Sequence, residues 1–75
     1  MNKPFLMINS TWNHMLRDPF IRLNVDMYRK CADLGCRVST ETARVQLRQA
    51  VLKTEYKSEA SGFLRYVDVL LAANA

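Results

Sequence analysis

The sequence predicts an all-α fold: a small bundle of three main helices, preceded by a short N-terminal helix and an extended N-terminal arm, in one domain spanning 1–75. Three observations carry this. Apolar residues recur at steps of three and four through most of the chain. Breakers are scarce, with 2 Gly and 2 Pro among 75 residues. The stretch from Asp18 to Gly35 has helix signals at both ends: Asp18 as a cap, Pro19 at the first helical position, and Gly35 free to take a left-handed turn. At 49% hydrophobic, the composition is that of a folded chain rather than a disordered one.

The arm covers Met1–Asn9, where Phe5, Leu6, Met7 and Ile8 form a short apolar run. A lone strand there has nothing to pair with, so an arm laid across the helices is expected. An edge strand used in a homodimer is the alternative. Ser10 is placed to cap a short helix over 11–17 that carries Trp12, Met15 and Leu16 on one side. Pro19 disfavours helical geometry at Asp18 and ends it.

The first main helix is expected over 19–34. Phe20, Leu23, Met27, Tyr28, Cys31 and Leu34 form its inward face, with Ile21, Val25 and Ala32 widening that face. The arc exceeds the roughly 100° of an ordinary surface helix, which points to contact with two elements. Arg22, Asp26, Arg29 and Asp33 lie opposite, with Asp26–Arg29 and Arg29–Asp33 as candidate surface ion pairs. The second main helix is expected over 40–57, capped by Ser39 or Thr40. Ala43, Leu47, Ala50, Val51 and Thr54 point inward, and Val45, Leu52 and Tyr56 form a second apolar stripe almost opposite. The third is expected over 60–73, capped by Ser58 or Ser61. Its inward residues are Phe63, Tyr66, Val67, Leu70 and Leu71, with Arg65 and Asp68 outward.

The formal net charge is +4. Much of it sits in residues 36–57, where Arg37, Arg44, Arg48, Lys53 and Lys57 face only Glu41 and Glu55. This leans towards an acidic partner. No apolar run approaches the roughly 18 residues of a membrane span. Cys31 and Cys36 make no disulfide framework and no signal peptide is recognisable, so a reducing cytoplasm is the expected compartment.

Catalysis is not expected. His14 is the single histidine, two glycines make no phosphate-binding loop, and no nucleophile has a base at helical spacing. Cys31, Cys36 and His14 supply at most three metal ligands where a structural zinc site takes four, so neither a metal nor a cofactor is expected.

The segment KCADLGCRVSTETARVQLRQAV resembles the helix–turn–helix of bacterial and phage transcription regulators at Ala32, Gly35, Val38, Ser39, Thr42, Arg44, Leu47 and Arg48. Cys36 and Arg37 stand as an insertion in the turn. The resemblance implies a DNA partner, with Arg37, Thr42, Arg44 and Arg48 as contacts. The favoured expectation is different. Val45, Leu52 and Tyr56, with Arg48 and Gln49, make an apolar, aromatic and arginine-bearing patch of the composition found at protein interfaces. A non-enzymatic regulator or inhibitor of the kind phage and mobile elements encode, docking on a larger protein or nucleoprotein machine, would have this character.

Overall fold

The computed structural model describes residues 11–73. The expected arm, its Phe5–Ile8 run and the Ser10 cap lie outside them. The described residues are helical with no strand. A short helix α1 (11–15) is followed by α2 (Pro19–Leu34), α3 (Arg37–Leu52), a 3-10 turn (Lys57–Glu59) and α4 (Ala60–Ala73).

Local chemistry sets the ends of α2 as the sequence predicts. Asp18 Oδ1 accepts hydrogen bonds from the backbone N–H groups of Phe20 (2.9 Å) and Ile21 (3.2 Å), with Pro19 next to it in the first turn. Gly35 closes the helix in the left-handed region at φ 76°, and its N–H donates to the Ala32 carbonyl. Only Gly35 and Cys36 separate α2 from α3. The two helices then run antiparallel along their whole length. Phe20 lies across from Lys53 at one end, Met27 from Gln46 in the middle, and Cys31 from Val38 and Thr42 at the other. This is a helical hairpin, unlike the roughly 90–120° crossing of a helix–turn–helix.

α3 starts earlier and ends earlier than its sequence suggests. The second main helix covers Arg37–Leu52 rather than 40–57, with Cys36 at its N-cap. Ser39 and Thr40 are therefore inside the helix and not its caps. The Thr40 hydroxyl donates back to the Cys36 carbonyl and that of Thr42 to the Val38 carbonyl, the local bond that these side chains make inside a helix. At the far end the chain leaves the helix after Leu52, and Thr54 stabilises the turn. Its hydroxyl donates to the Val51 carbonyl (2.7 Å) and accepts from the Tyr56 N–H (3.0 Å).

α4 covers one face of the hairpin, with α1 beside it. Trp12 stacks on Tyr66 at 4.5 Å between ring centroids. Gly62 permits this, since a Cβ there would lie 3.3 Å from Trp12 Cζ2. The core is Trp12, Met15, Ile21, Val25, Tyr28, Ala43, Leu47, Val51, Ala60, Phe63, Leu64 and Val67. Ala43, Leu47, Ala50 and Val51 of α3, and Trp12 and Met15 of α1, are buried as expected. Leu64 joins the core unexpectedly, while Tyr66, Leu70 and Leu71 are only half-buried.

α2 is the main correction. Ile21, Val25 and Tyr28 are its buried residues. Phe20, Leu23, Met27 and Leu34, expected inward, are 52%, 61%, 47% and 77% exposed. On a helical wheel the apolar positions of α2 span about 200° at 100° per residue. Spacing alone does not say which end of so wide an arc meets the core. α4 decides it, because α4 packs at the Val25–Tyr28 end of the arc. The other end stays open. The surface pair on α2 is also Arg22–Asp26, at 3.8 Å, rather than either expected pair.

Candidate functional site

Two surfaces of the hairpin stand out. The first is the outward face of α3. Val38, Val45 and Leu52 are seven residues apart, so they fall almost on one line along the helix. Val38 is 73% exposed, Val45 is 57% exposed and Leu52 is half-buried against the core. Arg48 is exposed beside them. The second surface is the open side of the α2–α3 groove, where Phe20, Leu23 and Met27 project beside Gln46 and Gln49.

The expected protein-partner residues separate between these places. Val45, Arg48 and Leu52 share the outward face of α3. Gln49 turns towards the groove. Tyr56 is not on the helix at all. It sits in the turn after α3, half-buried against the core, with His14 edge-on at 6.1 Å between ring centroids. The early end of α3 is the reason: the helix stops at Leu52, so the spacing from Val45 to Leu52 does not continue to Tyr56.

The residues implied by the helix–turn–helix resemblance are also dispersed. Arg37 is the first residue of α3 and exposed, and Thr42 is exposed with its hydroxyl turned to its own backbone. Arg48 is exposed. Arg44 is committed within the fold. Its Nη2 donates to Asp68 Oδ2 at 2.6 Å and its Nε lies 3.2 Å from both carboxylate oxygens. The Tyr28 hydroxyl donates to Asp68 Oδ1 at 2.6 Å. One carboxylate on α4 thus ties together α2 and α3, and Asp68 is not the free outward residue its position suggests. Burial would raise the Asp68 carboxyl, but the hydrogen bonds from Arg44 and Tyr28 outweigh that and hold it below its ordinary value. The same contacts raise the Arg44 guanidinium. The Tyr28 phenol is raised by burial first and by Asp68 second.

No protein-family model, curated protein or solved structure matches this chain.

Cys31 is half-buried and Cys36 exposed, both as free thiols. Cys36 Sγ lies 3.2 Å from Ser39 Oγ, and hydrogen bonding from Ser39 lowers the thiol below its usual value. Among the described residues no three His, Cys, Asp or Glu side chains are grouped to hold a metal ion. A shallow polar cleft of about 510 Å³ opens between α1 and the turn after α3, with His14, Arg17 and Lys53 set against Asp18 and Glu55. None of the described helices is long and apolar enough to cross a membrane.

Sequence reasoning missed Phe20, Leu23, Met27 and Val38 as surface residues. The heptad step from Phe20 to Met27 to Leu34 was visible, but the same step describes a core-facing stripe equally well.

Proposed function

We propose that this chain is a non-enzymatic helical regulator or inhibitor, phage- or mobile-element-like in character, that docks on a larger protein or nucleoprotein complex through the outward face of α3. The observation that carries this is the line of Val38 and Val45, 73% and 57% exposed, continuing into Leu52 and flanked by Arg48. Apolar side chains held open in a row on a rigid helix lose little entropy on binding, and an arginine at the edge adds a charge-assisted contact. The partner surface that fits is apolar at its centre and acidic at its rim.

DNA binding has weaker support. Arg44 would have to leave Asp68 to reach a phosphate, and the antiparallel hairpin does not present a recognition helix at the angle of the resembling regulators. Affinity capture from the source cell, split between nuclease-treated and untreated halves, separates the two. Docking on protein predicts partners that survive nuclease and are lost with Val45→Asp. Partners that vanish with nuclease, and that depend on Arg37 and Arg48 but not on Val45, would overturn it.

A further inference from the structure

We propose that the segment preceding α1, residues 5–10, docks along the free half of one α4 stripe and supplies the hydrogen-bond acceptor for the buried indole of Trp12. This goes beyond the docking face on α3 and uses none of its residues.

Trp12 is 7% exposed, and its buried indole N–H meets no acceptor among the described residues. A buried donor without a partner is costly, and native folds supply one from backbone, side chain or water. The ring lies on α4 against Gly62 and Tyr66. Gly62, Tyr66, Leu70 and Ala73 follow at steps of four, four and three, so they form one stripe along that helix. Trp12 meets the first half of the stripe. In the second half Leu70 is half-buried and Ala73 exposed, with Val69 open beside them.

The course of α1 aims the residues before it at that second half. His14 meets Tyr56, ahead of α4, while Trp12 meets Tyr66, inside α4. Going back along the chain therefore moves towards the C-terminal end of α4. From Tyr66 to Ala73 the helix rises about 10 Å at 1.5 Å per residue. Four extended residues before Thr11 cover about 13 Å, which carries Met7 and Ile8 over Leu70 and Ala73. Residues 5–10 carry no charge, and α4 carries none after Asp68. Both sides of an extended Phe5–Ile8 run are apolar, so either register places an apolar side chain on the stripe. The carbonyls of the same segment then pass beside the indole. Attachment next to Trp12 holds this segment at roughly millimolar effective concentration, an advantage that a free peptide or a second copy lacks.

NMR of the full chain tests this, because its single tryptophan gives one indole N–H signal. The expected result is a set of nuclear Overhauser contacts from the indole proton and the Leu70 methyls to Met7 and Ile8. The indole proton should also exchange with solvent far more slowly than in free tryptophan. Met7→Asp combined with Ile8→Asp puts a charge on both sides of the extended segment. That double variant should speed indole exchange by about ten-fold, the loss of one hydrogen bond, while the backbone amides of Ile21 and Val67 stay protected. Leu70→Asp should do the same from the α4 side. If a variant unfolds the chain, the wild-type contacts decide. No contact between residues 5–10 and either Trp12 or Leu70 overturns the proposal. So does an indole proton that exchanges freely in the wild type, or one equally slow in all three chains, which marks an internal water as the acceptor. Contacts that appear only as protein concentration rises place the segment on a second copy and overturn it as well.

Discussion

Arg44 Nη2 sits 2.6 Å from Asp68 Oδ2, a charged contact between α3 and α4 above the core they share. Tyr28 from α2 completes it from the other side of the carboxylate. The side chains of Arg44 and Asp68 remain 41% and 36% exposed, so solvent screens the pair. Arg44→Ala and Asp68→Asn should each cost about 1 kcal/mol in urea unfolding, well below the 3–5 kcal/mol of a broken buried pair. Tyr28→Phe should cost about 0.5–1.5 kcal/mol. In a double-mutant cycle the Arg44 and Asp68 losses should overlap rather than add.

The same carboxylate makes stability depend on acid. Asp68 titrates below its ordinary value in the fold, so its contribution is fully present above the unfolded pKa of about 3.9 and is lost as pH falls through the folded value. Below pH 4 the wild type should lose stability faster than Asp68→Asn. Parallel unfolding curves for the two chains from neutral pH down to about pH 2 would show that Asp68 is not held as described.

The assignment of the buried face of α2 can be read by truncation. Ile21→Ala removes a side chain with no exposed surface and should cost about 2–5 kcal/mol. That is comparable to the roughly 3–5 kcal/mol that so small a core supplies, so the variant should be largely unfolded. Leu23→Ala, at dilute protein, should change stability by no more than about 0.5 kcal/mol. The reverse ranking would restore the stripe centred on Leu23 and Met27 as the core face.

Gly35 makes a purely backbone prediction. A Cβ there meets nothing within 4 Å, yet the residue holds φ 76°. Gly35→Ala should therefore cost about 1–2 kcal/mol by thermal unfolding, and Gly35→Asn less, since Asn tolerates the left-handed region.

Gly62 makes a packing prediction. Trp12 is stacked on Tyr66 and cannot retreat far from a side chain at position 62. Gly62→Val should cost about 1–3 kcal/mol and shift the tryptophan fluorescence. An unchanged emission spectrum would mean that the ring does not occupy this position.

Helix ends and helix faces were not equally legible in the sequence. The 19–34 helix was readable because Asp18, Pro19 and Gly35 act locally, within a few residues of what they decide; the 60–73 helix was readable from its apolar spacing, although neither Ser58, in the 3-10 turn, nor Ser61, inside α4, caps it. Ala43, Leu47, Ala50 and Val51 were readable as core because the α3 stripe is narrow. The face of α2 was not readable, since ten of its sixteen residues share one continuous apolar and amide arc and only the docking of α4 chooses an end. The end of α3 was hidden for a similar reason. Residues 53–57 are compatible with a helix, and the Thr54 hydroxyl bonds that stop it depend on geometry. Of the candidate site, Val45 and Arg48 were visible as exposed residues of α3, whereas Leu52 packs half-buried against the core. The commitment of Arg44 to Asp68 was not, because the two are 24 residues apart and meet only in the folded chain.

The most direct test of the docking account is quantitative capture from nuclease-treated source-cell extract by immobilised wild-type chain, Val45→Asp and Arg48→Ala. The account predicts a retained protein partner whose yield falls by about thirty-fold with Val45→Asp and less with Arg48→Ala, with only shallow dependence on salt between about 50 and 200 mM. Equal retention by wild type and Val45→Asp, or binding that collapses over that salt range and follows the arginines alone, would contradict it.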